Sequence, residues 1–72
     1  MEPPFKPTYI RAWRKKRGMT MVELAIQANM QQGHLSRLER GHLPYNQQTL
    51  ERLAEALRVS PGMLIDVDPE KS

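Results

Sequence analysis

The sequence predicts an all-α fold, a single compact domain of five short helices. Three observations predict it. Apolar residues recur at helical spacing along nearly the whole chain, and no stretch alternates as a strand does. Residues that start helices (Thr8, Thr20, Asn46, Ser60) and residues that stop them (Gly18, Asn29, Gly41) punctuate the chain at short intervals. With 72 residues and no cysteine, the chain has neither a disulfide nor a thiolate metal site to hold an irregular fold. Packed helices, with help from a second subunit, are the remaining source of stability.

Thr8 follows Pro7 and is expected to cap a first helix over about residues 9–17, with Ile10 and Trp13 inward and Gly18 as the stop. Tyr9 and Trp13 are also the residues a single-strand binder would use for base stacking. Trp13 shares the apolar stripe of Ile10, which points to core packing instead. Thr20 is the second cap, with Glu23 in capping-box register and Leu24, Ala25 and Ala28 facing inward. Asn29 is the turn residue, because asparagine tolerates positive φ, and Met30 returns to the core. A third helix is expected over about 31–40, with Leu35 and Leu38 inward and Gly41 as its C-terminal cap. Asn46 caps the fourth helix, where Leu50, Leu53, Ala54 and Leu57 follow an i, i+3, i+4, i+7 stripe. Ser60 and Pro61 form a cap and first position for a short fifth helix over about 61–65. The expected organisation is an N-terminal arm (1–8), one domain (9–66) and a frayed acidic tail (67–72).

Charge is distributed unevenly. Up to Tyr45 there are eight basic residues against three acidic ones; from Asn46 onward, three basic against five acidic. The first part is suited to an anionic partner and the last part is not. A solvated helix face is the plain alternative for the run from Arg11 to Arg17. The N-terminus lacks the pattern of a signal peptide and no apolar run approaches the ~20 residues that span a bilayer, so a soluble, cytoplasmic protein without membrane contact is expected. No cysteine, no glycine-rich phosphate loop and no nucleophile–base pair is present, which argues against an enzyme. His34 and His42 lack thiolate partners, so no metal, cofactor or small-molecule ligand is expected.

Two short helices joined by a turn of about three residues, within residues 21–40, describe a helix-turn-helix. Ala25 must be small where the helices cross, Asn29 must reverse the chain, and Leu24, Met30, Leu35 and Leu38 must fill the wedge. Every slot is suitably filled.

The run from Met19-Thr20-Met21-Val22-Glu23-Leu24-Ala25 to Leu35-Ser36-Arg37-Leu38-Glu39-Arg40-Gly41 resembles the Cro/repressor-type helix-turn-helix family, also called the XRE family. Thr49 to Leu57 with Val59-Ser60-Pro61 is similar to that family's fourth and fifth helices, so the resemblance covers about residues 9–65. It implies a lambda-repressor-like fold and a transcriptional regulator that binds double-stranded DNA, with the third helix in the major groove. It also implies that Gln31, Gln32, Gly33, His34, Ser36 and Arg37 stand where base edges are read. Glutamine can pair bidentately with adenine and arginine with guanine, each worth about 1–3 kcal/mol of discrimination. Phosphate is the alternative partner for Arg37 and His34, and solvated polarity is the plain alternative for the glutamines and for His34. Gly33 would let the helix sit close to DNA, or be neutral. The family implies an ion pair between Arg14 and Glu39; a phosphate ligand is the alternative role for Arg14. Met21 departs from the pattern, standing where glutamine is common, and cannot donate a hydrogen bond to DNA.

Helix N-termini offer free N–H groups to phosphate, which nominates Thr20 and Met21, and Asn46 and Gln47, with Lys16, Arg40 and Tyr45 beside them. A lone helix-turn-helix touches few base pairs, so a homodimer on half-sites about one turn (~34 Å) apart is expected. Leu43, Met63, Leu64, Ile65 and Val67 are the candidate interface, unless Met63 and Leu64 complete the monomer core. The function expected is sequence-specific regulation, as a repressor or controller, from a short palindromic operator. The alternative is a helical protein–protein module that keeps the fold without DNA recognition.

Overall fold

The computed structural model describes residues 8–71, so the expected N-terminal arm lies, apart from Thr8, outside the described residues. Among the described residues five helices are present: α1 (Ile10–Lys16), α2 (Met21–Gln27), α3 (Gln32–Glu39), α4 (Gln47–Leu57) and α5 (Met63–Asp66). No strand occurs among the described residues. The helices pack in succession, α3 on α2, α2 on α4, α4 on α1 and α1 on α5.

One core joins all five helices, from Ile10 and Trp13 through Leu24, Ala25, Leu35 and Leu38 to Leu53, Leu57 and Leu64. These are the positions of the helical stripes, so amphipathic periodicity dictates the assembly. Truncating a fully buried leucine such as Leu35 to alanine costs about 2–5 kcal/mol in a typical core.

The helix ends show why the loops are short. The first four helices each finish with one residue at positive φ: Gly18 (68°), Asn29 (55°), Gly41 (76°) and Arg58 (62°). After each, the next amide bonds back to a carbonyl in the last turn: Met19 to Arg14, Met30 to Ala25, His42 to Arg37 and Val59 to Ala54, at 2.8–3.1 Å. This is the Schellman arrangement, which satisfies carbonyls that the helix leaves open and turns the chain at once. Asn29 fills the left-handed position between α2 and α3, as its chemistry predicts.

Three local expectations are corrected. Thr8 does not cap α1: Tyr9 is the N-cap residue, and no side-chain cap bond is made. The Tyr9 amide instead donates to the Leu64 carbonyl at 2.6 Å, and the buried Thr8 hydroxyl finds no partner among the described residues. Ser60 does not cap α5 either. The chain from Ser60 winds in tight turns, Met63 donating to Ser60 and Leu64 to Pro61, before α5 starts behind Gly62. Nor does the chain fray at Val67. The Trp13 indole N–H donates to the carbonyls of Met63 (3.1 Å) and Val67 (3.0 Å), Pro69 is buried, and the Glu70 amide bonds the Asp68 carboxylate.

Candidate nucleic-acid interface

The α2–α3 pair is built from the inside out. Leu24 and Ala25 on α2 and Leu35 and Leu38 on α3 are buried, with Met30 half-buried beneath the turn. Ala25 at 3% exposure leaves no room for a larger side chain at the crossing. The start of α2 carries a complete capping box: the Thr20 hydroxyl accepts from the Glu23 amide (3.1 Å) and the Glu23 carboxylate accepts from the Thr20 amide (2.9 Å). Hydrogen bonding from Thr20, its amide first and its hydroxyl second, holds the Glu23 carboxyl below its ordinary value.

With its inner side sealed, α3 presents a polar outer side. Gln31, Gln32, Gly33, His34 and Arg37 are exposed and Ser36 is half-buried. The residues expected to read bases therefore share the outward surface of one helix. A Cβ at Gly33 would meet no atom within 4 Å, so the fold does not require glycine there.

The far end of α3 is tethered. Arg14 reaches from α1 and donates to both oxygens of Glu39, at 2.9 and 3.2 Å, and its third nitrogen donates to the Met19 carbonyl at 3.0 Å. The ion pair implied by the resemblance is thus present, and Arg14 is turned inward, away from a role as a phosphate ligand.

The expected phosphate ligands fall into two groups. Thr20 has both its amide and its hydroxyl committed to the capping box, and Met21 is half-buried against the core. Glu23 also places a carboxylate in the first turn of α2, which offsets the positive end of that helix. Helix α4 differs. Asn46 caps it by accepting from the Thr49 amide (2.7 Å), and its first turn holds no acidic residue. Lys16, Arg40, Asn46 and Gln47 are exposed; Tyr45 is half-buried against the core. Arg40 leans on the Ser36 carbonyl at 3.4 Å.

Sequence reasoning missed two features. Arg17, read as part of the basic run, donates to the Leu57 carbonyl (2.8 Å) at the end of α4, and its guanidinium lies 5.6 Å from the Trp13 ring centroid. A cation at a helix C-terminus and over an indole is favourable on both counts. Val22 and Ile26, four residues apart on α2, stand exposed, Ile26 at 73%. Their spacing outside the core stripe was the available signal.

Leu64, expected at a subunit interface, is 0% exposed and belongs to the monomer core. Leu43, Met63, Ile65 and Val67 are half-buried and pack only partly on that core.

A family model described as helix-turn-helix matches residues 10–64. The chain belongs to the Cro/repressor (XRE) type of the helix-turn-helix family. Its members are DNA-binding transcription regulators and not enzymes. Solved structures agree with this assignment of the XRE-type chain. The N-terminal DNA-binding domain of SinR from Bacillus subtilis is 33% identical, with TM-score 0.76, over 83% of this chain and 88% of that one. The clp gene regulator ClgR from C. glutamicum is 32% identical, with TM-score 0.74, over 78% and 73%. The DNA-binding domain of the P22 C2 repressor is 30% identical, with TM-score 0.77, over 89% and 82%. No curated protein matches this XRE-type chain. Among the described residues no helix is long and apolar enough to cross a membrane, and no cluster of His, Cys, Asp or Glu could hold a metal ion.

Proposed function

We propose that this XRE-type chain is a cytoplasmic repressor or controller that reads a short palindromic operator in double-stranded DNA as a homodimer. One observation carries the reading: α3 is sealed on one side by Leu35 and Leu38, tied at its end through Glu39, and exposes Gln31, Gln32, His34 and Arg37 together on the other. A rigid helix with amides and a guanidinium on its outer side is what direct readout in the major groove requires. Gln32 and Arg37 take base edges, with Gln31, Gly33, His34 and Ser36 beside them. The start of α4, Lys16 and Arg40 grip the backbone and set register. Leu43, Met63, Ile65 and Val67 form the dimer surface, since they are apolar and unsealed in one subunit. SinR and the P22 C2 repressor, whose domains are described as DNA-binding, support the DNA partner by similarity.

The second reading, a protein–protein module, is favoured by the exposed Val22 and Ile26. A titration of the full chain against a random duplex separates the two. Phosphate neutralisation makes the log–log plot of affinity against salt fall with a slope of about −0.9 per contacted phosphate. Such a slope supports the DNA reading, and no binding at low salt overturns it.

A further inference from the structure

Between the starts of α3 and α4 lies an open notch of about 350 Å³, bordered by Gln31, His34, Asn46, Gln48, Thr49 and Arg52. No carboxylate borders it. The Arg52 side chain makes no hydrogen bond or ion pair among the described residues, although two acids neighbour it on α4. Glu51 accepts instead from the Gln47 side-chain amide (3.3 Å), and Glu55 borders a second hollow together with Arg52 and Asn29 without forming an ion pair. Arg14 is committed to Glu39 and Arg17 to the end of α4. Arg52 is thus an unpaired guanidinium between two hollows, and the one without a carboxylate it shares with Gln31 and His34 at the start of the reading helix.

We propose that Arg52, with the side-chain amides of Asn46 and Gln48, holds one phosphodiester of the bound duplex in the notch between α3 and α4. The Asn46 carbonyl oxygen is spent on capping α4, which leaves its NH₂ to donate. Asn46, Thr49 and Arg52 recur at i, i+3 and i+6, so they follow one side of α4 and line a track rather than a point. The fourth helix then grips the backbone along its flank as well as at its end. Because Gln31 and His34 border the same hollow, the phosphate held there fixes where the start of α3 meets the bases. A guanidinium suits this role, since its planar fork can meet two phosphate oxygens at once.

This inference rests on the DNA-binding reading, and the test distinguishes the two. Arg52→Gln, Arg52→Lys and the unaltered chain are titrated against a random duplex and a selected operator across a salt series. Arg52→Gln is expected to weaken both duplexes by a similar factor, roughly tenfold, as loss of a charged hydrogen bond does. The log–log salt slope is expected to become shallower by about 0.9. Arg52→Lys keeps the slope and loses part of the affinity. On operators carrying one neutral methylphosphonate at each position in turn, one position per half-site is expected to cost Arg52→Gln clearly less affinity than it costs the unaltered chain. Unchanged affinity and slope in Arg52→Gln, or a loss confined to one base sequence, overturns the proposal while leaving DNA binding intact. Failure of the unaltered chain to bind at low salt overturns both.

Discussion

Arg14 on α1 and Glu39 at the end of α3 are joined by two hydrogen bonds across 25 residues of sequence, with their side chains 12% and 2% exposed. A third bond, from Arg14 to the Met19 carbonyl, ties the α1–α2 loop to the same guanidinium. One side chain therefore fixes α1, the entry to α2 and the tail of the reading helix relative to one another. The position of α3 is set by its apolar wedge on one side and by this clamp at its end.

Removing one partner of the clamp leaves the other charge poorly solvated. Arg14→Ala is expected to cost about 2–3 kcal/mol, below the 3–5 kcal/mol of a fully buried pair because Arg14 keeps some water contact. Arg14→Ala with Glu39→Ala is expected to cost less than the sum of the two single changes. Urea unfolding of the four proteins measures this; additive losses would mean that the pair is not coupled.

Two non-glycine residues hold left-handed backbone, and they should respond differently. Asn29→Ala is expected to destabilise by about 1 kcal/mol, since alanine lacks the tolerance that asparagine has for that region. Arg58→Gly is expected to be neutral or to stabilise by up to about 1 kcal/mol, because the side chain is exposed and glycine removes the backbone strain. Thermal melts read both, and a stabilising Asn29→Ala would contradict the assignment.

The Glu23 capping box predicts a pH dependence. Its carboxyl is held below the ordinary 4.5 when folded, so the unfolded chain binds the proton more readily. The bond's contribution is therefore fully present above about pH 4.5 and is lost as pH falls through the lower folded value. The stability gap between the unaltered chain and Glu23→Gln, followed by urea unfolding, is expected to be constant at neutral pH and to close below about pH 4.5. A gap that widens on acidification would reverse the sign.

Base and backbone contacts separate in binding. Gln32→Ala is expected to cost about 1–3 kcal/mol on the cognate site and little on random duplex, relaxing preference at one position per half-site. Arg40→Ala is expected to weaken all sequences alike and flatten the salt dependence. Equal losses on both duplexes would reassign Gln32 to phosphate, and a selective loss would reassign Arg40 to bases.

Most of the fold was legible because local rules and tertiary packing agree. Thr20 with Glu23, Asn29, Gly41, Asn46 and the Leu50–Leu57 stripe each encode a start, a stop or a buried side within a few residues. What was not legible depends on partners far along the chain. The Tyr9 amide is tied to the Leu64 carbonyl at the point where Thr8 was expected to cap, and the Trp13 indole holds Val67, which keeps the chain after α5 packed. Arg58 takes a left-handed turn without glycine because its amide and that of Val59 both close onto α4. In the site, the polar side of α3 follows from periodicity, whereas Arg17 and Arg52 do not. Charge counting grouped Arg17 with a basic run it leaves, and passed over Arg52 because it sits among acids.

The central claim is that α3 reads base sequence from a paired helix-turn-helix. Selecting bound molecules from a random duplex pool with the full chain tests it most directly. The account predicts convergence on one short motif present as two inverted copies about one helical turn apart. A pool that stays random after repeated selection, while the folded chain is recovered intact, would contradict it.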